Sequence, residues 1–110
     1  MGIKDVKKFL EKYSKEDIVF GKTEKYVLER IGAKREEVVK DLLFARGLEF
    51  VEKQERGDET RYVLFFVFSK RSGRVYVVTM DNKLRIITAY PLGRKTLSRY
   101  HKKRFINLDR

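Results

Sequence analysis

LEFVEKQERGDETRYVLFFVFSKRSGRVYVVTMDNKLRIITAYP, residues 48–91, is where this chain changes its hydrophobic period. Leu48, Phe50 and Val51 open a strand that closes at the polar cluster Glu55, Arg56, Gly57, Asp58. Residues 62–68 and 75–80 are aromatic and β-branched runs, which fit a pleated, half-buried surface. A turn at residues 71–73 separates them, and Asp81-Asn82 predicts a tight hairpin into a last strand over 84–90. Pro91 and Gly93 end it. The expectation is a four-stranded antiparallel meander.

Upstream the apolar residues recur at helical spacing. Ile3, Val6, Phe9, Leu10 and Tyr13 predict a helix over residues 3–13. Residues 17–20 form a brief apolar patch before Gly21. Thr23 stands where a helix N-cap belongs, ahead of Tyr26, Val27, Leu28 and Ile31, and Gly32 ends that run. A third helix is expected from about Lys34, with Glu36 and Glu37 favourably placed in its first turn, Val38, Val39, Leu42 and Leu43 on its buried side, and Gly47 as a left-handed cap. Helices followed by strands predict a single α+β domain over residues 1–110, the helices packed on one face of the sheet.

The charge is unevenly placed. Residues 1–59 balance fourteen basic against fourteen acidic side chains, whereas residues 60–108 hold twelve Lys and Arg against Asp81 alone. An excess of +11 confined to one half predicts a polyanionic partner. Interleaved Tyr62, Tyr76, Tyr90 and Tyr100 favour nucleic acid, because aromatic faces stack on bases while cations meet phosphates. A solvated surface on a heat-adapted protein would also be rich in Lys and Glu, yet it would not be one-sided. Candidate backbone contacts are Arg61, Arg74, Arg85, Arg94, Lys95, Arg99, Tyr100, Lys102, Lys103 and Arg104. Residues 94–106 are expected as a basic helix or ordered tail.

Composition excludes several chemistries. There is no Cys and one His, so disulfides, thiolate metal sites and a Cys nucleophile are ruled out. A zinc site would rest almost wholly on carboxylates, and neither metal nor cofactor is expected. The isolated glycines make no nucleotide-binding fingerprint, and Ser98 near His101 lacks the setting of a nucleophile elbow. No apolar run approaches the roughly 20 residues that span a bilayer, so a cytoplasmic protein without membrane contact is expected. Glu36, Glu37 and Asp41 read as a solvated helix face.

Metal-free RNA cleavage remains open. A neighbouring 2′-hydroxyl attacks the phosphate, and the protein must accept one proton, donate another and neutralise the developing charge. Thr88 and Tyr90 share one strand face by alternation, which sends Arg85 to the other. His101, inside Arg99-Tyr100-His101-Lys102-Lys103-Arg104, is the one side chain whose ordinary titration lies near neutrality. As half-buried sheet residues and a tail phosphate contact, these same positions would have no chemistry.

Residues 20–92 resemble a small family of domains grouped with the RelE-like toxins and the barnase, EndoU and colicin ribonucleases. Leu84-Arg85-Ile86-Ile87-Thr88-Ala89-Tyr90-Pro91 is similar to that family's closing strand, after a tight turn. Thr23-Glu24-Lys25-Tyr26-Val27-Leu28-Glu29-Arg30 resembles a helix in which the family places a His four residues before an Arg, and Arg35-Glu36-Glu37-Val38 with Leu42-Leu43 resembles the next helix. Arg30 matches; where the His belongs stands Lys25 or Tyr26. The resemblance implies a metal-independent endoribonuclease in which Arg30 and Arg61 clamp phosphate, Lys25 or His101 handles protons, and Thr88 and Tyr90 line the scissile bond. It implies RNA, including ribosome-bound mRNA, as substrate and an acidic antitoxin as partner, with Tyr100 and His101 as further site residues. The alternatives are a silent nucleic-acid-binding module and a basic protein docking an acidic one.

Overall fold

A computed structural model describes residues 2–98 except 22, 71 and 94. Helix α1 (Ile3–Leu10) is followed by a 3₁₀ turn (Lys15–Asp17), the short strand β1 (Ile18–Val19), and helices α2 (Glu24–Ile31) and α3 (Arg35–Phe44). Strands β2 (Leu48–Arg56), β3 (Glu59–Val67), β4 (Gly73–Met80) and β5 (Leu84–Pro91) complete the order. The sheet is open, with strand order β1-β5-β4-β3-β2.

The four expected strands form, but the sheet has five and is mixed. Ile18 and Val19 pair parallel to Leu84 and Arg85 on the outer edge of β5. Two residues are too few to show an alternation, which is why this patch did not read as a strand. Beyond it, α2 packs along the rest of β5.

One face of the sheet carries the helices. Directly opposed residues of antiparallel strands share a face, so Val51, Leu64, Tyr76 and Ala89 form one row and Leu48, Phe66 and Arg74 another. Against them pack Val6 and Leu10 of α1, Val27 and Ile31 of α2, and Val38 and Leu42 of α3. Each fully buried aliphatic side chain contributes about 1.5–3 kcal/mol. Val63, Val75 and Leu97 are also buried but lie outside this cluster, and the first two face away from the helices. Leu97 stands in a helical stretch, residues 95–98, that follows β5.

The cap of α3 differs from expectation. Its left-handed C-cap is Ala45, φ 51°, rather than Gly47. Gly47 is nonetheless required: at φ +83°, a Cβ there would stand 2.9 Å from the Val67 carbonyl oxygen, where the Val67 amide reaches back to Gly47 at 2.8 Å. Helix α1 ends at Leu10, short of Tyr13, whose hydroxyl instead donates to the Asp81 carbonyl at 2.6 Å. Thr23 occupies the N-cap of α2 without a side-chain cap bond.

Candidate functional site

Residues 58 positions apart meet beside β5. Arg30, exposed in the last turn of α2, donates through Nη2 to the Tyr26 hydroxyl at 2.8 Å and through Nη1 to Thr88 Oγ1 at 3.5 Å. The guanidinium also lies over the Tyr26 ring, 4.9 Å from its centroid. Tyr26 and Arg30 are neighbours because an i, i+4 spacing stacks side chains on one helix face. Among the described residues Arg30 has no carboxylate at ion-pair distance. Its partners are two hydroxyls, and Tyr26 is 59% exposed.

A β-bulge sets which residues of β5 accompany Thr88. Val77 pairs with Thr88, but the next residue, Val78, pairs with Ile86, leaving Ile87 as the extra residue. An inserted residue reverses the alternation downstream of it. Thr79, Val77 and Val75 of β4 share the face away from the helices, and they oppose Arg85, Thr88 and Tyr90. All three therefore lie on that outer face, which corrects the expectation that Arg85 points opposite to Thr88 and Tyr90. Leu84, Ile86 and Ala89 are correspondingly buried on the helix side.

The cations expected at one interface divide between environments. Arg74 faces the helices, where Nη1 meets Asp41 Oδ2 at 2.9 Å and Nη2 meets Glu37 Oε2 at 3.2 Å. Tyr76 donates to the same Asp41 oxygen at 2.6 Å. Burial pushes the Tyr76 hydroxyl far above the ordinary tyrosine range, reinforced by Asp41 and opposed by Arg74. Burial works against the charge on Arg74, but its bond to Asp41 prevails and raises its pKa. Glu37 and Asp41 thus hold α3 to the sheet instead of merely solvating a surface.

Arg61 and Arg85 belong to the outer face with Thr88. Arg61 Nε donates to Glu59 Oε2 at 2.8 Å, and Arg85 Nη2 lies 3.9 Å from Glu59 Oε1. Lys95 is exposed, and so is Lys25. One residue before Tyr26, Lys25 is turned about 100° round the helix, and among the described residues it has no hydrogen bond to Arg30 or Thr88. Of Lys25 and Tyr26, Tyr26 is the one that joins the cluster. Arg94, Arg99, Tyr100, His101, Lys102, Lys103 and Arg104 lie outside the described residues.

The sequence places Phe50 in a strand without marking it as a surface aromatic. It is 53% exposed, with its ring edge-on to Phe65 at 5.4 Å between centroids. Pairing places Phe50, Phe65, Val75 and Tyr90 in one row across the outer face. The row is open at its ends, Phe50 and Tyr90, and closed in the middle at Val75. A depression of about 490 Å³ where the β2–β3 and β4–β5 hairpins end carries Asp58, Glu59 and Asp81 beside Arg56. That balance does not favour a phosphate chain inside the depression, whose Tyr62 and Met80 belong to the helix side of the sheet, away from Arg61 and Arg85. Among the described residues no group of three His, Cys, Asp or Glu is placed to hold a metal ion, and no helix is long and apolar enough to cross a membrane.

Comparison of the chain with protein-family models, with curated proteins and with solved structures finds no match.

Proposed function

We propose that this protein binds RNA and cleaves it without a metal ion, in the manner of RelE-like and barnase-type ribonucleases. One observation carries this reading: an exposed arginine held by two hydroxyls, with no counter-ion among the described residues, at the edge of a sheet whose outer face carries further arginines. A guanidinium in that state offers unused donors to a phosphodiester.

The chemistry follows from the atoms present. The 2′-oxygen of a bound ribose attacks phosphorus and gives up its proton, the bond to the 5′-oxygen breaks, and that oxygen takes up a proton. A 2′,3′-cyclic phosphate and a 5′-hydroxyl result. Arg30 neutralises charge on the non-bridging oxygens as it builds, Thr88 donates a hydrogen bond to one of them, and the Tyr26 hydroxyl exchanges the proton. Lys25 and His101 are the remaining proton carriers, and Tyr90 lines the approach. Arg74 has no part, since its charge is met by Asp41 and Glu37. In a toxin of this kind, ribosome-presented mRNA is the substrate, and an acidic antitoxin covers the cationic half.

The test is incubation of labelled RNA with purified protein in excess chelator. Cleavage that survives EDTA, leaves cyclic phosphate ends and is lost in Tyr26→Phe and Arg30→Ala supports the reading. Cleavage that requires a divalent ion, or that is unchanged in both variants, overturns it. A second reading, RNA binding without cleavage, draws on Tyr26 standing where the resembling family has His. Steep loss of affinity with salt, and no products, would select it.

A further inference from the structure

Glu59 stands between two arginines that come from different strands. Its Oε2 accepts from Arg61 Nε at 2.8 Å, and its Oε1 is 3.9 Å from Arg85 Nη2, too far for a hydrogen bond. Arg85 is 55% exposed, and among the described residues Glu59 is its only ion-pair partner, so its donors are largely unused. One carboxylate facing two guanidiniums leaves a net positive charge on the outer face. The Glu59–Arg61 pair is only part-buried and the Glu59–Arg85 pair is exposed; pairs that water still reaches hold weakly, and a carboxylate and a phosphodiester present similar oxygens to an arginine fork.

We propose that Arg61 and Arg85 form a second phosphate subsite for the backbone of a single-stranded RNA, which Glu59 fills in the free protein and vacates when the polymer binds. The inference rests on the functional reading above and adds to it the path of the substrate. Arg85 and Thr88 are three residues apart with one of them bulged, so their Cα atoms are about 7–10 Å apart. An extended strand held at Arg30 and Thr88 therefore reaches Arg85 within a nucleotide or two. Glu59 acts as a competitor that weak anions do not displace, and a chain already anchored at Arg30 does.

Fluorescence anisotropy with a fluorescein-labelled 2′-O-methyluridine dodecamer, which lacks the attacking hydroxyl and so is not cut, at low salt and in chelator, tests the subsite. Glu59→Gln removes the competing charge with little change of shape and is expected to tighten binding about two- to fivefold. Arg85→Gln is expected to weaken it and to reduce the slope of log affinity against log salt by about 0.7, the loss of one phosphate contact on a single strand. In the Arg85→Gln background, the gain from Glu59→Gln should shrink. Wild-type binding with no gain in Glu59→Gln and no change of slope in Arg85→Gln overturns the subsite and leaves the functional reading standing. Failure of the wild type to bind overturns both. A polyglutamate peptide that competes for the protein as well as the dodecamer would assign the arginine pair to an acidic protein and overturn the proposal.

Discussion

Two arginine–tyrosine pairs stand in different settings on this sheet. Arg74 and Tyr76 meet on the helix side, and Arg30 and Tyr26 meet at the β5 edge. The first pair is closed by Asp41, which accepts from both, and by Glu37. Tyr76 is fully buried and Arg74 partly so. The second pair is exposed, and among the described residues its guanidinium hydrogen-bonds only to hydroxyls. The same residue types therefore do different work according to whether a carboxylate and burial complete them. Residue type alone marks a cation; a missing counter-ion marks a cation with donors to offer.

The sharpest way to separate the two pairs is to remove one member of each. Arg30→Ala should slow RNA cleavage by about 10²–10³-fold, the usual cost of losing one preorganised donor to developing charge. Its thermal unfolding should stay close to wild type. Asp41→Ala should do the reverse, costing about 2–4 kcal/mol in urea denaturation because Arg74 and Tyr76 lose a partner inside the fold. RNA affinity under native conditions should hardly change.

A smaller effect is expected of Tyr76→Phe. It removes one donor while Arg74 continues to satisfy Asp41, for a loss of about 1 kcal/mol. The smallest concerns the corner that ties the 3₁₀ turn to the β4–β5 hairpin. Asp17 accepts from the Ser14 amide at 2.9 Å and from Lys83 at 3.0 Å, and these bonds, the amide foremost, lower its pKa. A lowered folded pKa gives stability that is present above the unfolded value of about 3.9 and is lost as pH falls through the folded one. Melting temperatures of wild type and Asp17→Asn should thus differ slightly at neutral pH and converge in acid. Asp17 is still open to solvent, which keeps the difference small.

Much of the fold was legible because long periodic runs dominate it. The α2 run from Tyr26 to Ile31 and the three β-branched strands between Tyr62 and Tyr90 all stand where their spacing put them. The fifth strand was not legible, since Ile18–Val19 pairs over two residues and depends on β5, more than sixty positions away. Nor was the bulge. Ile86-Ile87-Thr88 is uniformly β-branched, so nothing local shows that Ile87 is the residue left unpaired. That one residue moves Thr88 and Tyr90 to the face of Arg85. Arg74 misled for a related reason: its partners Glu37 and Asp41 lie in α3, more than thirty positions upstream, and looked like surface acids. Tyr26 gave a partial signal, four residues before Arg30, that geometry separates from the neighbouring Lys25.

The account stands most directly on which arginines respond to a polyanion. Side-chain Nε–Hε signals of the arginines, followed by NMR while a single-stranded 2′-O-methyl RNA that cannot be cut is added at low salt and in chelator, report this residue by residue. The account predicts that the signals of Arg30, Arg61 and Arg85 move together and saturate while that of Arg74 stays in place. Movement of Arg74 with Arg30 unchanged, or no response from the three outer arginines, would contradict it.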